Sequence, residues 1–203
     1  MQERGEIQIG SFVRINGTGA TRTAGTPLGI EFGITDELQV SVETGGFTYQ
    51  SPSGWSSPSD FGLAFSYGRH GLLPNLHAAV TLGAESAREI GARTNSVNSA
   101  LLLGVDLQRL RMTHVFTSVV GTFWNSTGSQ AGVDWFAGAI VPFGQLRVTI
   151  ERPVRVADPA DRGTVPGLVW KVSDGLEIGA ATTLRTRPAT RLSGGMLSLI
   201  VEF

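Results

Sequence analysis

The stretch Leu28-Gly29-Ile30-Glu31-Phe32-Gly33-Ile34-Thr35-Asp36-Glu37-Leu38-Gln39-Val40-Ser41-Val42-Glu43 places an apolar residue at every second position, twice over. Leu28, Ile30, Phe32 and Ile34 stand against Gly29, Glu31, Gly33 and Thr35, and Leu38, Val40 and Val42 against Gln39, Ser41 and Glu43. Thr35-Asp36-Glu37 makes a tight turn between them. Side chains on a strand alternate between two faces, so this pattern predicts a hairpin with one apolar and one polar or small face. The pattern returns at 61–68, with Phe61, Leu63, Phe65 and Tyr67 on one side, and at 145–151, with Leu146, Val148 and Ile150.

Twelve such segments follow one another, at about 5–15, 25–35, 37–47, 59–68, 75–85, 96–108, 111–123, 131–142, 145–155, 165–173, 175–185 and 192–203. The segment at 111–123 mixes apolar and polar residues on both faces, so ten strands is the alternative count. Tight connections at 35–37, 69–74, 109–110, 143–144 and 173–175 alternate with longer polar ones at 16–24, 48–58, 86–95, 125–130, 156–164 and 186–191. An up-and-down meander with one plain and one decorated end has that order. No domain boundary interrupts it, and 1–203 reads as one all-β antiparallel barrel. The best helix candidate, 85–92, is short, and no run of about 20 apolar residues could cross a membrane as a helix.

Composition separates a soluble barrel from a membrane one. Of the 203 residues, 27 are Gly, none is Cys and only 16% are charged; a soluble domain carries about 25% charged residues. Lys171 is the single lysine. The missing cysteines exclude disulfide scaffolds, thiolate zinc sites and thiol catalysis. A net charge of −1 without a basic run gives no support to nucleic-acid binding. In a soluble barrel the second face should be rich in Lys, Glu and Arg, but here it is mostly Gly, Ala, Ser and Thr with about one charge per strand. Small residues suit the inside of a closed barrel, and an uncharged apolar face about ten residues long suits a tilted crossing of a bilayer. The aromatics also sort by level: Phe32, Tyr67, Phe143 and Phe203 toward the tight-turn end, and Phe47, Phe61, Phe123 and Trp135 toward the other. Two such girdles are expected where rings sit at membrane interfaces.

The last strand, Leu197-Ser198-Leu199-Ile200-Val201-Glu202-Phe203, ends on a phenylalanine. It resembles the C-terminal signature of bacterial outer-membrane β-barrels, which implies that Phe203 is the signal read by the barrel-assembly machinery. Residues 27–40 (Pro-Leu-Gly-Ile-Glu-Phe-Gly-Ile-Thr-Asp-Glu-Leu-Gln-Val) and 173–180 (Ser-Asp-Gly-Leu-Glu-Ile-Gly-Ala) are similar to the MetA-pathway phenol-degradation outer-membrane transporter family. The resemblance implies a transmembrane barrel in the outer membrane, with membrane lipids and lipopolysaccharide around it and both termini on the periplasmic side. Met1 leads straight into polar residues, so no secretory signal opens the chain, and such a destination implies that one has been removed.

The chemistry expected of such a barrel lies in its interior. Carried along each strand, the alternation turns Glu6, Arg14, Glu31, Glu43, Glu85, Asp106, Asp134, Arg147, Glu151, Lys171, Glu177 and Glu202 inward, nine acids against three bases, together with His77. Either these charges neutralise one another in a packed interior, or the small lining residues leave a water-filled path whose acidic wall favours cations. The second case predicts a porin-like channel for passive passage of small solutes. A different class of function is a non-conducting barrel that docks an envelope protein through 46–59, which carries Phe47, Tyr49 and Trp55; those rings would serve equally as interface anchors. His70, His77 and His114 have no Ser or acid at usable spacing for nucleophilic catalysis and no neighbouring ligands at helical or hairpin spacing for a metal. No enzyme activity, cofactor or metal is therefore expected.

Overall fold

The structure is a computed structural model that describes residues 2–18, 21–50, 54–56, 60–89, 92–110, 112–125, 129–155, 163–185 and 191–203. Strands follow one another almost without interruption: β1 Ile7–Thr18, β2 Thr21–Thr35, β3 Leu38–Gln50, β4 Gly54–Ser56, β5 Phe61–Leu73, β6 Leu76–Glu89, β7 Ala92–Leu107, β8 Thr113–Asn125, β9 Ser129–Phe143, β10 Leu146–Arg155, β11 Val165–Ser173, β12 Leu176–Arg185 and β13 Arg191–Glu202. Every neighbour is antiparallel, and β1 pairs with both β2 and β13, so the meander closes on itself. The short β4 pairs only with the far end of β3, which leaves twelve strands in the wall. The closing ladder runs from Gln8↔Glu202 to Asn16↔Gly194, and Ile7 and Phe203 exchange both backbone hydrogen bonds, at 2.9 and 3.2 Å.

The count of twelve replaces the ten-strand alternative. β8 pairs along its whole length with β7 and β9. Its mixed faces have a physical reason: the inward ring of Phe116 lies over Gly138, where a Cβ would stand 2.5 Å from the ring's Cζ. On the outer face Thr117 Oγ1 donates to Phe136 O at 2.9 Å and accepts from Trp135 Nε1 at 2.6 Å, so the polar group is satisfied locally.

Three of the connections expected to be long are instead ladders that continue outward, to Thr18↔Thr21, Glu89↔Ala92 and Asn125↔Ser129. Residues 85–89 of the helix candidate belong to β6. Strands of 14 and 16 residues in β6 and β7 exceed the 9–11 that a tilted crossing needs, so this end projects as a hairpin. The expected connections at 156–164 and 186–191 fall mostly outside the described residues. At the opposite end the turns are tight. Thr35 Oγ1 accepts from the backbone N–H of Glu37 and of Leu38, and Asn75 at φ 65° and Gly144 at φ 64° supply the left-handed residue that two-residue hairpins demand.

The apolar phase faces outward. Among the described residues no large side chain is fully buried, whereas Leu82 is 61% and Leu197 62% exposed. A water-soluble barrel would put these residues in its core. All eight ring residues expected in the two girdles are exposed, as are Phe65 and Trp170. Leu101, level with Val80 and Val119 across its neighbours, sits midway along this face. Leu101→Arg is expected to destabilise the folded barrel in phospholipid vesicles by about 2–4 kcal/mol, and Thr81→Arg, on the inner face, by less than half of that. Urea titration of the refolded variants measures both.

Candidate functional site

Residues of the second phase line the interior, and most are small: Gly62, Ala64 and Ser66 on β5 and Thr81 and Gly83 on β6 bound a cavity of about 670 Å³. Glu31, Glu43, Asp60 and Glu85 carry its charge, and no basic residue is among its described lining residues. A second cavity of about 650 Å³ shares Gln39, Ser66 and Thr81 with the first and continues toward the tight-turn end, where His77, Asp106, His114 and Arg147 reach it. The lining of the second runs from Gln39 on β3 round to Arg147 on β10.

Among the inward bases whose side chains are described, Arg147 on β10 lines the second cavity and Lys171 lies on β11. Arg147 on β10 is ion-paired with Glu177 on β12, and Lys171 Nζ stands 3.1 Å from Asp174 Oδ1. Glu151 and Glu202 are partly covered. Asp134 lies on β9 opposite Val120. Glu6 precedes β1, and its carboxylate accepts from the Glu3 N–H at 2.8 Å. Arg14 pairs in the backbone with Met196 and Gly25, but its side chain lies outside the described residues, as do those of His70 and Trp55. The structure thus groups Glu31, Glu43 and Glu85 on one wall, gives Arg147 and Glu177 to each other, and adds Asp60, which the strand alternation reaches two residues before Gly62.

Two arrangements were not legible from the sequence. Residues 2–6 fold back over the tight-turn mouth. Gln2 is buried, its backbone N–H donates to Gln39 Oε1 at 3.0 Å, and its side-chain amide donates to Gln8 Oε1. Gln39 Nε2 in turn donates to Glu31 Oε2 at 3.1 Å. The strap is pinned where Gly5 N–H donates to Gly33 O at 2.8 Å and Gly33 N–H to Glu6 O at 3.0 Å. A Cβ on Gly33 would overlap the Glu3 carbonyl, so the close approach requires glycine.

The other arrangement joins the histidines. In register Asp106 faces His114, and His77 faces Gly104 two residues away on the same strand. His77 Nε2 and His114 Nδ1 each lie 2.7 Å from a different oxygen of Asp106. Spacing along the chain hides this cluster, because the ligands are neighbours across strands; the expectation that the histidines lack neighbouring ligands is corrected on that ground.

No family model matches the chain, and no curated protein matches it. Solved structures do. The fold is shared with a KdgM porin in complex with disordered oligogalacturonate, at TM-score 0.59, 9% identity and 98% coverage of both chains. It is shared also with a NanC porin, at TM-score 0.58, 10% identity, and coverage of 97% of this chain and 98% of that one. The chain has the fold of a bacterial outer-membrane porin barrel, the class that the resemblance of its hairpins and last strand implied.

Replacing Gly33 by Val is expected to expel the strap. The readout is trypsin cleavage after Arg4 in the refolded barrel, accelerated by about tenfold, which corresponds to about 1.4 kcal/mol of lost local stability.

Proposed function

We propose that this protein is an outer-membrane channel for passive passage of small solutes, with a weak preference for cations. The observation that carries the reading is the cavity lined by small residues of β5 and β6 and by Glu31, Glu43, Asp60 and Glu85, which adjoins a second cavity where Asp106 stands with Arg69 and Arg147. In a narrow, low-dielectric lumen, acids on one wall raise the local cation concentration, while bases paired with Glu177 and Asp174 do little to offset them. The oligogalacturonate named with the KdgM porin is a polyanion. An acidic wall disfavours such a solute, so the shared fold does not carry that ligand over. Exposed rings at both ends of the apolar face support a location in the bilayer, and Phe203, 73% exposed at the closing seam, is accessible to the assembly machinery.

A second reading, a non-conducting barrel that docks an envelope protein, rests on the β3–β4 hairpin, where Tyr49 and Trp55 are register partners and Phe47 is exposed. Planar-bilayer recording of the refolded chain in a salt gradient separates the two. Discrete conductance steps with a cation-selective reversal potential are expected, and Glu31, Glu43 and Glu85 changed together to Gln should lower the cation-to-anion ratio by about twofold or more. A protein that inserts but stays silent, or an anion-selective one, overturns the channel as proposed.

A further inference from the structure

We infer that His77, Asp106 and His114 form a binding site for a divalent first-row transition metal ion, of the zinc or copper kind, on the inner wall near the tight-turn mouth. One ligand atom from each residue, two imidazole nitrogens and a carboxylate oxygen, lies within 4.8 Å of the other two. A tetrahedral ion with bonds of about 2.0–2.2 Å wants its ligands about 3.3 Å apart. The 2.7 Å contact to whichever Asp106 oxygen binds the ion would therefore open by about half an ångström, and separations of up to 4.8 Å would close toward that spacing. Each imidazole presents a lone pair once its proton sits on the other ring nitrogen, so Asp106 changes from acceptor of two N–H groups to ligand.

The rings are held for this. His114 lies against Gly104, where a Cβ would stand 2.5 Å from Nε2, and it stacks on Phe116 with ring centroids 6.2 Å apart and planes 22° from parallel. His77 is tilted 52° to it at 5.6 Å. The cluster borders the 650 Å³ cavity, which leaves a fourth position for water. Two nitrogen donors favour zinc or copper over magnesium or calcium, which take oxygen.

The test reads binding and not current, so its failure is distinct from a failure of the channel reading. The full chain, refolded in detergent and treated with chelator, is titrated with zinc chloride in a calorimeter, with calcium chloride as the contrast. About one zinc ion per chain is expected, with affinity falling at least about tenfold in each of His77→Gln, His114→Gln and Asp106→Asn. Cobalt added to the unaltered protein should show the visible bands of nitrogen coordination, a readout that needs no variant. The absence of zinc binding at millimolar concentration, an affinity unchanged by all three substitutions, or a cobalt spectrum of oxygen ligands alone overturns the site.

Discussion

At membrane depth a backbone N–H or C=O has no water to bind, so each must be paired within the chain, and a sheet can meet that demand only by closing. In this protein closure rests on the β1–β13 ladder and on the exchange of hydrogen bonds between Ile7 and Phe203. Once that seam exists, the alternation of every strand is assigned as a whole. One phase meets lipid, the other the lumen, and a slip of one residue anywhere would carry Leu and Phe inside and Glu outside. The bare apolar exterior is therefore a consequence of closure and not a separate design.

Closure also makes the interior crowded, and the inner face answers with glycine. Gly138 gives room to Phe116, Gly104 to His114, and Gly33 to the Glu3 carbonyl. In each case one strand omits a side chain where its neighbour, or the strap, fills the space. The result is uneven: rings, the strap and the Arg147–Glu177 pair fill space toward the tight-turn end, while small residues line the cavity on the β3–β6 side. Among the described residues, Glu31, Glu43, Asp60 and Glu85 share the first cavity without a base, whereas Arg147 is paired with Glu177 and Lys171 with Asp174.

Much of this was written in the periodicity. Strand phase, the tight turns, the exposed aromatic levels and the inward direction of Glu31, Glu43 and Glu85 follow from local rules, because a strand's two faces are set by its own residues. The ends of the hairpins did not follow. Segments such as 86–95 are polar on both faces, so nothing local says whether they are loop or a ladder standing in water; cross-strand pairing decides it. For β8 the pattern failed for another reason, since Phe116 and Thr117 are reversed in polarity and are satisfied by Gly138, Phe136 and Trp135 on the next strand.

The division between the two sources of information is therefore physical. Period-two alternation, the alternation of short and long connections, and the scarcity of charge were enough to specify an antiparallel membrane barrel with an apolar outer face. Pairing register between strands was not available from them, and register alone brings His77 and His114, 29 and 8 positions from Asp106 in the chain, to its two oxygens. The strap at Gly33 belongs to the same category: five residues with no periodic signal find their place because the closed wall offers a glycine, two glutamines and a carboxylate in one spot. Faces are a property of one strand, whereas sites are a property of several strands held in fixed register.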